Sequence, residues 1–331
     1  MLAGKYSTIS VALAFTLAIA GGTPQSRRQK PEPAQPPTQS NPCKSAKDSE
    51  TSNPFTVQFN VLVTDINGQP KDDVDKRDFK ILEDGVQQEL SFLLKREGPL
   101  EYGLLVDTSG SLRAQFNMVM NTANAFVSAN SPIDEMFLVR FISADKIEMI
   151  QDWTSDQVLL RKRLDNLFIE GGQSAIVDAV YESAKHLFER QKTDRVHRRA
   201  GLVLITDGED RASYYNERQL LKLLRDLNVQ VFVIGFTRDL QKGASRKATN
   251  LLTRLAQESG GHALFPSNIA ELADAVRAIR QEVSGQYFVG YTSTNQTRDN
   301  GIRQIKIEIA DRSGRDRRLV NAHSSFVALC P

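Results

Sequence analysis

Four short apolar runs in the middle of this 331-residue chain constrain its fold more than any other feature. The runs are residues 102–106, 136–142, 202–206 and 229–236. None of them alternates with polar positions, and strands buried on both faces of a parallel sheet have this character. Helical periods separate the runs, such as the stripe that includes Phe116, Val119 and Ala123. The further helix candidates are 159–167, 175–187, 219–227, 251–259 and 269–283. Strands that alternate with helices predict a doubly wound, mainly parallel α/β domain.

Alternating apolar and polar positions predict β-strands on both sides of that domain. Phe55, Val57 and Phe59 begin one such series, and Tyr287 and Val289 begin another. Each flanking segment is too short to form a stable sheet by itself. We therefore expect the two segments to pair, so that the α/β domain is inserted in a small β unit built from both chain ends. The predicted boundaries are 55–98 and 285–331 for the β segments and 99–284 for the α/β domain.

The first 54 residues have the composition of a targeting segment followed by a linker. Lys5 precedes a 12-residue, mostly apolar stretch that ends in Ala18-Ile19-Ala20, which fits a signal peptide 1–20 cleaved before Gly21. The alternatives are an uncleaved anchor or a buried N-terminal helix. Residues 21–54 are rich in proline and polar residues and predict an extended linker. No later stretch is long and apolar enough to span a membrane, so we expect an exported protein, either periplasmic or secreted.

Composition narrows the function classes. Lys and Arg number 42 against 40 Asp and Glu, and a nucleic-acid-binding protein usually has a strong basic excess. Two Cys and four His leave no room for a Cys-rich zinc scaffold. In an exported protein, an even number of cysteines favours a disulfide between Cys43 and Cys330. Two free thiols or an intermolecular bond are the alternatives.

Acidic and hydroxyl side chains follow the predicted parallel strands. Asp107, Ser109 and Ser111 form a D-x-S-x-S pattern directly after the first apolar run. Ser174 follows a Gly-Gly-Gln stretch, and Asp207 follows the third run. Open α/β sheets bind ligands at the carboxyl ends of their strands, and oxygen donors of this kind suit Mg²⁺, Mn²⁺ or Ca²⁺. Asp, Ser and Gly also form turns and helix caps, so the first pattern alone has moderate specificity.

With these three loops together, residues 100–285 strongly resemble the von Willebrand factor A domain. The resemblance implies a metal-ion-dependent adhesion site formed by Asp107, Ser109, Ser111, Ser174 and Asp207. The usual Gly-Gly-Thr is Gly-Gly-Gln-Ser here, with one residue more before the hydroxyl. The flanks resemble the bacterial secreted subgroup of the family. Their matching stretches are Val63-Thr64-Asp65, Asp78-Phe79, Glu83-Asp84-Gly85 and the strand at 287–291.

The resemblance implies a non-enzymatic protein-binding module in which an Asp or Glu of a partner protein completes the shell of the ion. A Mg²⁺-dependent hydrolase is the first alternative, although Ser109 stands where a second acidic residue would be needed. A scaffold with a vestigial metal site is the second. Asp178 could orient the loop of Ser174 or face solvent. Glu209 and Asp210 could flank the ion or face water, and we expect them to face water. The sequence is silent on oligomeric state.

Overall fold

A computed structural model of the chain describes residues 55–95, 99–193, 199–299, 301–310, 319–322 and 325–328. All of these residues fall within one compact unit, residues 41–331. The predicted signal peptide, the linker, Cys43 and Cys330 lie outside the described residues.

A six-stranded mixed sheet lies at the centre of the α/β domain, in the order β10-β9-β8-β5-β6-β7. Its strands are β5 (Leu100–Asp107), β6 (Glu135–Ser143), β7 (Lys146–Thr154), β8 (Arg199–Thr206), β9 (Val231–Gly235) and β10 (Ala263–Leu264). The strands β5, β6 and β8 contain three of the apolar runs, and β9 lies within the fourth. All eight residues of β5 are buried. Only β7 is antiparallel. The predicted fold class is therefore confirmed.

In the part of the chain that the structure describes, six α-helices cover the two faces of this sheet. They are α1 (Phe116–Ala129), α2 (Gln157–Asp165), α3 (Ile176–Thr193), α4 (Glu217–Leu227), α5 (Lys242–Glu258) and α6 (Ile269–Ser284). Apolar residues of α1, α2 and α6 share one core with the sheet, and those of α3, α4 and α5 share the other. With both faces covered by helices, ligands of an open α/β sheet are expected at the loops that follow the carboxyl ends of its strands.

The flanking segments form two antiparallel four-stranded sheets. The strands from the first segment are β1 (Thr56–Thr64), β2 (Phe79–Glu83), β3 (Val86–Gln88) and β4 (Leu90–Lys95). Those from the second are β11 (Gln286–Thr292), β12 (Ile302–Ile309), β13 (Leu319–Ala322) and β14 (Ser325–Val327). The sheet orders are β13-β1-β11-β4 and β14-β12-β2-β3, so each sheet combines strands from both segments.

A shared apolar core joins these two sheets. Val61, Ile81 and Val289 are completely buried in it. Short strands of this kind gain stability mainly by burying one face against other strands. The pairing explains why neither segment needs to form a sheet alone.

Candidate metal centre

Parallel pairing brings the ends of two strands together at one edge of the sheet. Asp107 is the last residue of β5 and Thr206 is the last residue of β8. The two strands pair in parallel, with Val106 opposite Ile205. The loops after both strands, and the loop before α3, meet at this carboxyl edge.

The carboxylate of Asp107 accepts three hydrogen bonds within the site. Its side chain is 0% exposed. The backbone N–H of Ser109 donates a 2.9 Å hydrogen bond to Oδ1 of Asp107. Two hydroxyls donate to Oδ2, that of Ser174 at 3.0 Å and that of Thr206 at 2.6 Å. The extra residue before Ser174 is thus accommodated by its loop, and the hydroxyl reaches the carboxylate.

The two serines of the D-x-S-x-S pattern lie side by side. Their hydroxyl oxygens are 3.1 Å apart. Ser109 is completely buried, whereas Ser111 is exposed at the surface. The pair therefore connects the buried carboxylate of Asp107 to the solvent, which is the direction from which a ligand would arrive.

Asp207 leaves one buried oxygen without a hydrogen bond. The residue is 1% exposed, and its Oδ1 accepts a 3.0 Å bond from the backbone N–H of Glu209. Its Oδ2 is buried and makes no hydrogen bond to any of the residues that the structure describes. A buried carboxylate oxygen without a partner is costly. Against the effect of burial, the hydroxyl of Ser111 lies close enough to lower the pKa of Asp207, and a bound cation beside the carboxylate would satisfy the remaining oxygen.

The electrostatics of the two carboxylates favour a cation as well. Burial, and next the charge of Asp207, raise the pKa of Asp107 from 3.8 to about 6. Burial also raises the pKa of Asp207. The protein around this site therefore disfavours both negative charges, and a divalent ion would stabilise them.

The donor set fits a hard cation by its chemistry. No group of three or more His, Cys, Asp and Glu side chains that could hold a metal ion occurs in the described part of the chain. The candidate centre instead combines two carboxylates with hydroxyl oxygens, and such ligands suit Mg²⁺, Mn²⁺ or Ca²⁺ better than soft metals.

Two further aspartates hold the surrounding loops in place. Asp178 is 3% exposed and accepts hydrogen bonds from the backbone N–H groups of Tyr214 (2.7 Å) and Tyr215 (2.8 Å). Asp178 therefore has the hydrogen-bonding role that the sequence left open, but the loop that it orients is the one after Asp207 and not the loop of Ser174. The solvent-facing alternative for Asp178 is wrong.

The expectation that Glu209 and Asp210 face water is also wrong. Oδ1 of Asp210 accepts hydrogen bonds from the backbone N–H groups of Ile176 (2.8 Å) and Val177 (3.3 Å). These groups lie in the first turn of α3, where backbone N–H groups lack helical partners. The side chain of Glu209 is only 12% exposed and pairs with Arg211.

The roles of Thr206 and Gly208 in the site were not predicted from the sequence. Thr206 reads as the end of a buried strand, and nothing in its type marks the hydroxyl as a partner of Asp107. Gly208 has a φ of +83°, and a Cβ there would lie 2.8 Å from Cδ1 of Leu252 and 2.9 Å from Cβ of Ala248. Both the backbone conformation and the space require glycine, and the Thr-Asp-Gly sequence is the signal that could have indicated it.

Comparison with known families decides the identity of this domain. The family model of the von Willebrand factor type A domain matches residues 103–281, which is more than half of the chain. The chain belongs to the von Willebrand factor type A family. The carboxyl edge described above is where the family resemblance predicted the adhesion site. A search of curated proteins finds no match.

Several solved structures are similar to this von Willebrand factor type A chain. An aerotolerance-related membrane protein from Bacteroides fragilis NCTC 9343, with multiple mutations to serines, is 20% identical, with 56% of this chain and 98% of that chain covered and a TM-score of 0.44. The conserved hypothetical protein BatB from Bacteroides thetaiotaomicron is 19% identical, with coverages of 56% and 98% and a TM-score of 0.42. A von Willebrand factor type A structure from Catenulispora acidiphila is 10% identical, with coverages of 85% and 74% and a TM-score of 0.45.

The helices of the described residues do not have the length and hydropathy of membrane spans. None of them is both long and apolar enough to cross a bilayer.

Proposed function

We propose that this chain is a non-enzymatic protein-binding module that uses a divalent-metal-dependent adhesion site to capture an acidic residue of a partner protein. The observation that supports the proposal most directly is the buried Oδ2 of Asp207, which makes no hydrogen bond among the described residues and lies in the same site as the buried carboxylate of Asp107. Membership of the von Willebrand factor type A family supports the coarser part, since the family generally serves protein interaction.

Five side chains would hold the ion, either directly or through water. They are Asp107, Ser109, Ser111, Ser174 and Asp207. Bound Mg²⁺, or Mn²⁺ or Ca²⁺ in its place, would supply the positive charge that attracts the carboxylate of the partner. Thr206 and Ser174 fix the carboxylate of Asp107 through their hydroxyls, and the exposed Ser111 lies on the side open to the partner.

A hydrolase fits the described residues less well. General base catalysis at neutral pH usually employs a histidine or a carboxylate within reach of the attacked group. The described histidines His186 and His262 contact Asp152 and Glu282 instead, and the carboxylates of Asp107 and Asp207 are the proposed ligands of the ion. Ser109 stands two residues after Asp107, where an acidic group would be needed.

We also propose that the protein is exported and acts in a periplasm or outside the cell, as a member of the bacterial secreted subgroup. The support is the sequence pattern of residues 1–20 and the stretches in the flanks that resemble that subgroup. A mature protein purified from the producing cell should begin at Gly21. An intact N-terminus on the exported protein would contradict the cleavage site.

Titration calorimetry with MgCl₂ and MnCl₂ tests the metal centre. Wild-type protein is expected to bind one ion, and Asp107→Ala and Asp207→Ala are expected to lose this binding, because each removes a carboxylate from the site. Asp207→Ala should remain folded, since this carboxylate interacts with the loop and the ion rather than with the apolar core. Asp145→Ala is the matched control, because Asp145 lies exposed in the turn between β6 and β7.

Absence of binding to the wild type, or equal binding by Asp207→Ala, would leave a scaffold with a vestigial site as the better description. A pull-down from the envelope and medium of the producing cell then tests the partner. Wild-type bait should capture a protein in Mg²⁺ that is absent with a chelator and absent with the Asp207→Ala bait. Capture that is independent of metal would contradict the proposed mode of binding.

A further inference from the structure

A cleft of about 640 Å³ opens beside the candidate metal centre. It lies between the first turns of α5, the loop after Asp207 and the start of α4. Side chains of mixed character line it, among them Tyr215, Asn216, Arg246, Lys247 and Asn250. Tyr215 also packs against the core and Asn216 caps α4, but neither role accounts for the exposed side chains of Arg246, Lys247 and Asn250.

The cleft carries an uncompensated positive charge. Arg246 and Lys247 are both exposed, and neither forms an ion pair with any residue in the described ranges. The other charged groups of the lining already have partners. Arg254 pairs with Glu217, and Asp210 accepts hydrogen bonds from the first turn of α3. An anion in the cleft would therefore face two cations without displacing a native ion pair.

The cleft and the metal centre share the loop that follows Asp207. Asp210, which contributes to the lining, is only three residues after Asp207. The backbone N–H groups of Arg211 and Ala212 donate to the carbonyl of Ser174 at 2.9 and 3.0 Å. The loop after Asp207 also packs closely against α5. A Cβ at Gly208 would lie 2.9 Å from Cβ of Ala248, the residue that follows Lys247. One extended ligand could thus reach both the metal centre and the cleft.

We propose that the partner presents an acidic peptide segment, with one carboxylate at the metal centre and a second acidic side chain between Arg246 and Lys247. This inference rests on the proposed function and specifies the partner of that same site. A peptide matches the lining, because Asn216 and Asn250 can hydrogen-bond to peptide groups and the ring of Tyr215 offers an apolar wall. The second contact becomes intramolecular once the first carboxylate is held, which raises its effective concentration.

Fluorescence anisotropy with synthetic peptides tests this proposal in the full mature chain with saturating Mg²⁺. One set of labelled glycine–serine peptides carries a single Glu, and the other carries two Glu residues at spacings of two to six positions. At the best spacing, the two-Glu peptide is expected to bind the wild type about two- to fivefold more tightly than the one-Glu peptide, which is the scale of one exposed ion pair.

The double variant Arg246→Glu/Lys247→Glu should lose this advantage while it keeps its affinity for Mg²⁺ and for the one-Glu peptide. Lys162→Glu/Arg163→Glu is the matched control. It reverses an adjacent, exposed basic pair on α2, with the same change in net charge and no part in the lining. The control should bind both peptide sets as the wild type does.

The outcomes separate this inference from the proposed function. If the wild type binds Mg²⁺ and the one-Glu peptide but shows no preference for two acidic residues, the inference is overturned and the adhesion site stands. If Mg²⁺ binds but neither peptide does, both are overturned. A third outcome combines three results: a heparin oligosaccharide binds the wild type in EDTA, the double variant Arg246→Glu/Lys247→Glu does not bind it, and the two-Glu peptide has no advantage. The cleft then accepts a sulfated glycan, and the peptide proposal is wrong.

Discussion

At the residue scale, the site consists of charges that the fold buries at a cost. Asp107 and Asp207 are 0% and 1% exposed, and burial raises the pKa of each. Hydroxyls and backbone N–H groups satisfy the oxygens of Asp107, whereas Oδ2 of Asp207 makes no hydrogen bond among the described residues. The ion that we propose for this site would offset that cost, and loss of stability of this kind is common at functional sites.

Asp107→Asn is expected to stabilise the metal-free protein at neutral pH. The pKa of Asp107 is 3.8 in the unfolded chain and about 6 in the folded protein, so the folded state binds this proton more tightly. Wild type therefore loses stability relative to the variant as pH rises from about 4 to about 6, by about 3 kcal/mol in total. Urea unfolding of both proteins in EDTA at pH 4.5 and pH 7.5 measures the difference.

Added Mg²⁺ provides the control for that comparison. A ligand that binds only the folded state stabilises that state. The wild type should therefore gain stability in Mg²⁺ at pH 7.5, whereas Asp107→Asn should gain little because it lacks one carboxylate of the site. A difference between wild type and variant that stays equal at the two pH values would show that ionisation of Asp107 is not its cause.

At the scale of elements, the sequence predicted those strands and helices whose burial follows a regular period. β5, β6, β8 and β9 are apolar throughout, and their order along the chain led to the fold class. β7 was not among the apolar runs because it is an edge strand with no fully buried residue. The first turns of α5 were not predicted either, because exposed lysine and arginine residues interrupt the apolar period.

In the candidate site, too, the sequence predicted only the residues that belong to a local pattern or to the family motif. The pattern of Asp107, Ser109 and Ser111 is local and could be read directly, and Ser174 and Asp207 follow from their loops and the family resemblance. The roles of Thr206 and Asp210 depend on distant partners, namely the carboxylate of Asp107 and the first turn of α3. Contacts between loops that are far apart in sequence leave no periodic signal.

Asp210→Ala is expected to destabilise the fold while leaving the metal centre largely intact. It removes the acceptor of the backbone N–H groups of Ile176 and Val177, and loss of such a helix-capping interaction costs about 1–2 kcal/mol. The affinity for Mg²⁺ should change by only a few-fold, since Asp210 is not among the proposed ligands. Chemical unfolding and calorimetry on the same preparation give both numbers.

Glu209→Ala is the neighbouring control, because Glu209 pairs with the more exposed Arg211 and a surface ion pair contributes about 0.5 kcal/mol. Equal losses of stability in the two variants would contradict the assigned role of Asp210 at the start of α3.

At the scale of the whole molecule, the two flanking segments depend on each other. β1 lies between β11 and β13, and β12 pairs with β2, so each sheet requires both segments. The α/β domain, by contrast, is continuous in sequence between β5 and α6. The domain boundaries at residues 98–99 and 284–285 remain a prediction that limited proteolysis could test.

A disulfide between Cys43 and Cys330 is expected in the exported protein. Closing a loop of nearly the whole mature chain would stabilise it by roughly 5 kcal/mol in the chain-entropy model. Peptide mapping without reductant should recover one crosslinked peptide that contains both cysteines from the monomer. Recovery of two free thiols, or of crosslinked dimers alone, would contradict the intramolecular bond.

The position of β1 in its sheet has a consequence during synthesis. The backbone N–H of Phe55, just before β1, donates to Oε1 of Gln296, and the two residues are 241 positions apart. At about 5–20 residues per second, roughly 10–50 s pass before the ribosome has added that partner. The whole α/β domain is synthesised within this interval. β1 is thus made long before β11 and β13, the two strands that pair with it. The nascent chain must therefore keep an apolar strand from pairing elsewhere until its own partners have been added.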